Sequence, residues 1–177
     1  MEQPTKICKT KDGRSATLRP VKESDAKDIL AAVKSVIESG VYIQKERPKT
    51  LDEEIHFIRE MKEKDNMYMA VELEGKAVGI ARVLRGELEM KKHTGLFRTW
   101  LSSTAQGQGL GKEILSYTLD WCRLHKLHKL CLTVFSSNEI AIKLYEKKGF
   151  TVEGIQKEQA LLNGQYEDEI HMGYFFN

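Results

Sequence analysis

The chain has 177 residues, 41% apolar and 31% charged. That is enough for one domain with a substantial core, and it lies outside the low-hydrophobicity, high-charge range of disorder. The 28 Lys and Arg against 26 Asp and Glu leave a net charge of +2, which argues against a dedicated DNA-binding domain but leaves room for a local basic groove. In chain order, the polar, basic stretch Met1 to Gly13 lacks the apolar core of a signal peptide, so residues 1–14 are expected to be an N-terminal extension and residues 15–177 a single domain. Ser15 to Arg19 reads as a short strand ended by Pro20. Ser24 is a candidate N-cap for a helix through about Glu38 that Gly40 ends. Thr50 or Asp52 opens a second helix, with Ile55, Ile58 and Met61 at helical spacing, which stops near Asn66.

The period then changes. Met67 to Leu73 and Ala77 to Leu84, joined by Glu74-Gly75-Lys76, read as an antiparallel hairpin, with the Met67/Met69 alternation packing into the core. Thr94 to Leu101 is a further strand. After a small, polar stretch from Ser102 to Gly111, an amphipathic helix runs to about Lys126 with Leu115, Leu119 and Cys122 on one face. Leu130 to Phe135 is strand-like. Asn138 to Lys148 is a helix closed by Gly149 at the C′ position, its charge run from Lys143 to Lys148 reading as a solvated face. Phe150 to Gln156 and Tyr166 to Phe175 close the chain as strands around Asn163-Gly164, a strong hairpin dipeptide. The order β-α-α-β-β-β-α-β-α-β-β predicts an α/β domain on a mixed sheet.

No run is apolar enough to span a membrane, and with no signal peptide the expected compartment is the cytoplasm. Cys8, Cys122 and Cys131 are odd in number and form no CxxC pair, which suits a reducing compartment. His125 and His128 have no partner motif, so no metal is expected.

The informative stretch is Gln106-Gly107-Gln108-Gly109-Leu110-Gly111-Lys112, between a predicted strand and a predicted helix. Glycines there let backbone N–H groups converge on one anion, and the helix dipole adds partial positive charge. A Walker A loop fails twice, because Gln106 takes its first glycine position and Glu113 its Ser/Thr. A dinucleotide GxGxxG loop needs glycine at Lys112. The acyl-CoA pattern [Q/R]xxGx[G/A] fits Gln106 to Gly111 throughout. A plain glycine-rich turn is the weaker reading, since each of the three glycines costs backbone entropy.

With this loop, and with Leu130 to Val134 followed by Asn138 to Phe150 matching N-x-x-A-x-x-[LF]-Y-x-x-x-G-F, the sequence resembles the GCN5-related N-acetyltransferase (GNAT) superfamily over about residues 15 to 175. The resemblance implies a mostly antiparallel central sheet flanked by helices. It also implies acetyl-CoA as co-substrate, its pyrophosphate on Gln106, Gly107, Gln108, Gly109, Leu110, Gly111 and Lys112. The strand ending at Trp100-Leu101 would splay from its neighbour and pair with the pantetheine amides.

Asn138 and Tyr145 are about two helical turns apart, on nearly one face. By themselves they read as an N-cap and a packing aromatic; the resemblance implies a pantetheine contact for Asn138 and a hydroxyl near the CoA sulfur for Tyr145. Tyrosine, with a reference pKa of about 10, is protonated at neutral pH and can donate to a departing thiolate. For the base that frees the attacking amine, no carboxylate lies on Leu130 to Val134. His93, Glu72 and Asp168 are the candidates, each with a plainer reading: a solvated histidine beside Lys91 and Lys92, a strand residue facing away from the cleft, and a carboxylate bonded within its hairpin. The expected function is N-acetyl transfer to a primary amine of a small molecule, amino acid or peptide, near the two N-terminal helices where Tyr42 and Arg47 lie. The alternatives are a protein N-terminal or lysine acetyltransferase and a non-catalytic acyl-CoA-binding module. No nucleic acid, membrane or metal partner is expected, and the assembly is a monomer or homodimer.

Overall fold

The computed structural model describes residues 3–39, 42–43 and 47–177; Gly40, read above as a helix stop, lies outside them. Eight strands form one sheet: β1 (Lys6–Lys9), β2 (Ser15–Pro20), β3 (Met67–Leu73), β4 (Lys76–Arg85), β5 (Thr94–Leu101), β6 (Lys129–Phe135), β7 (Thr151–Leu162) and β8 (Gln165–Phe175). Their order is β1-β2-β3-β4-β5-β6-β8-β7. The pairs β1–β2, β2–β3, β3–β4, β6–β8 and β7–β8 are antiparallel, and β5–β6 is parallel. The helices are α1 (Ala26–Ser39), α2 (Leu51–Glu63), α3 (Leu110–Leu124) and α4 (Glu139–Lys148). The predicted order is present, with β1 added ahead of it inside the stretch read as an extension. The chain divides into two compact units, Met1–Leu84 with Arg98–Trp121, and Arg85–Phe97 with Cys122–Asn177.

In the first unit, β3 and β4 are joined by Glu74 and Gly75, with φ of 51° and 78°. Two successive left-handed residues make the hairpin turn whose twist matches its strands. Both strands alternate into a core that holds Met67, Met69, Ala70, Ile80 and Val83, so the methionine alternation is packing. Thr50 caps α2: its hydroxyl accepts from Glu53 N–H at 3.2 Å, and Glu53 accepts from Thr50 N–H at 3.2 Å. Ser24 does not cap α1. It lies in a short 3₁₀ turn, Glu23–Asp25, where the Asp25 carboxylate accepts from Lys22 N–H at 2.7 Å. Asp25 is drawn inward because Arg19 grips it with two nitrogens, each at 2.8 Å.

On α3 the residues Leu110, Ile114, Leu115, Tyr117, Leu119 and Trp121 are buried. The Tyr117 hydroxyl has no hydrogen-bond partner among the described residues, and burial pushes its pKa up. A buried hydroxyl without a partner costs about 1–3 kcal/mol. Tyr117→Phe is therefore expected to hold or raise stability in urea unfolding, and a loss above about 1 kcal/mol would show that the hydroxyl is bonded after all.

In the second unit, β8 lies between β6 and β7. Asn163 and Gly164, with φ of 50° and 76°, make the expected tight turn between β7 and β8. β7 runs well past Gln156, because its pairing with β8 continues through exposed polar residues. Gly149 closes α4 in the left-handed conformation at φ 108°, its N–H bonded to Tyr145 and Glu146 carbonyls. Burial raises the Cys122 thiol to about 12 against an opposing pull by Arg123, so it behaves as a core hydrophobe. Cys8 and Cys131 are half-buried free thiols.

Candidate functional site

The predicted loop residues lie in the first unit, at the junction of β5 and α3. Trp100 is half-buried and packs against the cluster of Ile29, Ala70, Ala77 and Ile80. After Leu101 the chain turns: Ser102 N–H donates to the Val78 carbonyl at 2.8 Å, and Ala105 N–H to the Ser102 carbonyl at 2.9 Å. Gln106 donates its side-chain amide to the Leu101 carbonyl at 2.8 Å, tying the loop to the strand end. Gly107 and Gly109 have φ of +71° and +79°, a conformation that favours glycine. A Cβ at Gly107 would meet nothing within 4 Å, and one at Gly109 would meet only the Lys11 side chain. The loop is thus open where its glycines stand. Leu110 anchors the start of α3 in the core, with Gly111 and Lys112 in its first turn. First-turn N–H groups of a helix have no intrahelical acceptor, which leaves donors for an anion.

Gly79 on β4 escaped the sequence reading. A Cβ there would stand 2.5 Å from Leu101 Cδ2 and 2.7 Å from the Trp100 carbonyl oxygen. A lone glycine in a strand signals such a close approach. Gly79→Ala should push the end of β5 and destabilise by about 1–3 kcal/mol in thermal or urea unfolding; an unchanged midpoint would mean that the strand end yields freely.

The parallel ladder between β5 and β6 pairs Thr94 with Lys129, Gly95 with Leu130 and Leu96 with Cys131. Among the described residues it stops there, although β5 continues to Leu101 and β6 to Phe135. Asn138 and Tyr145 belong to the second unit. Asn138 caps α4, its side-chain oxygen accepting from Ala141 N–H at 3.3 Å, which realises the plainer of its two readings. The half-buried Tyr145 ring meets Phe97 and Phe150 edge-on, at centroid distances of 6.4 and 5.7 Å. Phe150 continues the aromatic row to Tyr174 at 5.5 Å. A side chain on a single helix is thereby fixed by rings on β5 and at the entry to β7.

Two of the three candidate bases are engaged elsewhere. Glu72 Oε2 accepts from Arg19 Nε and Nη2 at 2.8 and 2.7 Å. Asp168 accepts from the Glu158 N–H at 2.9 Å and pairs with Lys157 at 3.1 Å. The Glu158 N–H first, then Lys157, hold its pKa below the usual carboxylate range. Its hairpin role is the one the structure supplies. His93 is exposed, with its carbonyl receiving the N–H groups of His128 and Lys129. Tyr42 is exposed, and Arg47 Nη1 lies 3.5 Å from Glu53. Among the described residues, no three His, Cys, Asp or Glu gather as a metal site would require, and no helix is long and apolar enough to cross a membrane.

The sequence model of the acetyltransferase (GNAT) family matches residues 35–150, which include the glycine loop, Asn138 and Tyr145. The chain belongs to the GNAT family. Among curated relatives, it is 33% identical over 106 residues to the spermidine N(1)-acetyltransferase of Escherichia coli K12, covering 59% of this chain and 56% of that protein. It is 30% identical over 101 residues to the L-amino acid N-acetyltransferase AaaT of the same strain, covering 56% and 62%. The chain thus spans little more than half the length of these GNAT relatives. A GNAT-family acetyltransferase structure from Streptococcus pneumoniae superposes with a TM-score of 0.84 at 24% identity, covering 91% of this chain and 99% of that one. The structure of yncA from Salmonella typhimurium, solved with its cofactor acetyl-CoA, superposes with a TM-score of 0.83 at 20% identity, covering 92% and 94%. These two structures share the GNAT fold.

Proposed function

We propose that the chain is an acetyl-CoA-dependent N-acetyltransferase acting on a primary amine of a small molecule, amino acid or peptide. The observation that carries this reading is the loop from Gln106 to Lys112. Its two left-handed glycines precede α3, and a Cβ at either would meet nothing within 4 Å but the Lys11 side chain. Those residues fit a pyrophosphate: small, open and rich in N–H donors, at the positive end of a helix dipole. The names of the relatives, which act on spermidine and on L-amino acids, favour a small amine as acceptor.

In this reading the amides from Gln106 to Lys112 hold the pyrophosphate. The backbone of Trp100 and Leu101, beyond the end of the β5–β6 ladder, holds the pantetheine arm, and Asn138 adds a polar contact to it. Acetyl-CoA supplies the acetyl group as a thioester, and transfer to the amine releases the CoA thiol. Tyr145 donates its hydroxyl proton to the departing sulfur. With Glu72 bound to Arg19 and Asp168 bound within its hairpin, His93 is the candidate base left to take the proton of the attacking amine, directly or through water, and solvent returns a proton to Tyr145.

The test is thiol release by the purified protein with acetyl-CoA against a broad panel of amines. Release with a small primary amine is expected. Acetyl-CoA binding without release on any amine would instead establish a binding module. As a control on the loop, Gly109→Asp should abolish calorimetric binding of acetyl-CoA, because its carboxylate would face the pyrophosphate. Aspartate tolerates positive φ better than most residues, so stability should fall by no more than about 1–2 kcal/mol. Undiminished affinity in this variant would overturn the loop assignment.

A further inference from the structure

The turn between β1 and β2 grips the glycine loop. Consecutive N–H groups of Lys11 and Asp12 donate to the main-chain carbonyl and the side-chain oxygen of Gln108, at 3.2 and 3.1 Å. Arg14 Nη2 donates to the Thr104 carbonyl at 3.0 Å, and Lys6 Nζ lies 2.8 Å from Glu113 in the first turn of α3. All of these residues belong to the same compact unit.

The turn is itself firmly built. Thr10 N–H donates to the Arg14 carbonyl at 2.9 Å, and Arg14 N–H returns to the Thr10 hydroxyl at 2.9 Å. Arg14 Nε reaches both Asp12 carboxylate oxygens at 3.0 Å, so the one acidic side chain of the turn is neutralised within it. Lys11 is different. Its Cγ and Cε pass 3.9 and 3.7 Å from the place a Cβ would take at Gly109. Its ammonium, one bond further, has no ion-pair partner among the described residues. The family match begins only at residue 35, so this turn lies outside the matched segment.

We infer that the β1–β2 turn is part of the acetyl-CoA site, with Lys11 supplying a cation to a phosphate group held at the loop and Arg14 positioning the loop through Thr104. The inference rests on the acetyl-CoA reading of that loop. Backbone amides supply direction but only partial charge, whereas CoA brings several full negative charges in its pyrophosphate and its 3′-phosphate. A lysine on a fixed turn adds a compact counter-charge, and its long stem lets it follow the phosphate. Arg14 touches no ligand; its bond to Thr104 sets where the loop stands.

The test compares wild type, Lys11→Gln and Lys11→Arg in calorimetric titrations with acetyl-CoA and with 3′-dephospho-CoA. Lys11→Gln should weaken acetyl-CoA binding by about tenfold and Lys11→Arg should keep it, with unchanged thermal midpoints because Lys11 is exposed. If the phosphate is the 3′ group, wild type and Lys11→Gln bind 3′-dephospho-CoA alike; if it is the pyrophosphate, the loss persists with that ligand. Arg14→Ala should raise KM for acetyl-CoA while kcat and the KM of the amine found in the thiol-release screen stay fixed, and Arg14→Lys should recover part of the loss. Lys11→Gln affinities within about twofold of wild type for both ligands would overturn the role of Lys11, and an unmoved KM in Arg14→Ala would overturn that of Arg14. A wild type that binds no acetyl-CoA would fail differently, by overturning the loop reading itself.

Discussion

Replacing Tyr145 by phenylalanine is expected to lower kcat by about 10²–10⁴-fold, the contribution typical of a positioned general acid. The substitution removes only the hydroxyl, and the ring keeps its edge-on contacts with Phe97 and Phe150. Thermal stability should therefore change little, and acetyl-CoA affinity should survive because the loop in the other compact unit is untouched. The deciding measurement is the pH profile of kcat. Wild type should lose activity on the alkaline side as the acid deprotonates, and the variant should lack that limb. Full turnover with an intact alkaline limb in Tyr145→Phe would return Tyr145 to the role of a packing residue.

Arg19→Met should destabilise the protein by about 3–5 kcal/mol, because it strips the counter-charge from a buried carboxylate. Arg19 on β2 ties the turn before α1 to the distant strand β3: it holds Asp25 bidentately and Glu72 with two further contacts. Asp25 is 6% exposed. Burial on its own would raise the Asp25 pKa, but the hydrogen bonds from Arg19 and the Lys22 N–H outweigh it and the net shift is downward. A carboxylate with a depressed folded pKa adds stability that is complete above its unfolded value, about 3.9, and is lost as pH falls through the folded value. In Arg19→Met burial is opposed only by the N–H and the charge of Lys22, so protonation of Asp25 relieves the variant. The stability gap between the two proteins should then be widest near neutrality and narrow below about pH 4. Equal urea midpoints at pH 7 would show that Asp25 finds another partner.

The parts of the fold that could be read from sequence are those written in local chemistry. The bounds of β3 and β5 follow from alternation and from the turns beside them, and Asn163-Gly164 and Gly149 occupy the left-handed positions their residue types announce. The loop was legible because its glycines are required by conformation, at Gly107 and Gly109 above all. What escaped depends on pairing that side chains do not signal. β1 has four residues with little apolar contrast, although Asp12-Gly13 after it is a hairpin dipeptide. Ser24 is a good cap by type, but it lies inside the 3₁₀ turn before α1, where the Asp25 carboxylate accepts from Lys22 N–H and is held by Arg19 of β2. The engagement of Glu72 by the same arginine is likewise visible only once residues 19, 25 and 72 have been brought together.

The long strand β7 has a consequence for how the molecule behaves in a crowded solution. It is one of the two edge strands of the sheet, and Val152, Ile155 and Leu161 are exposed along it. A straight edge of that length, with apolar side chains and free backbone groups, is a template on which another chain can add. β7 is not straight: its register with β8 slips between Gln156 and Ala160, where Glu158 stands at φ 50°. The Asp168 carboxylate, by accepting the Glu158 N–H, takes one of those backbone donors out of circulation and holds the kink in place. The same carboxylate that sequence offered as a candidate base thus holds the bend that interrupts this exposed edge.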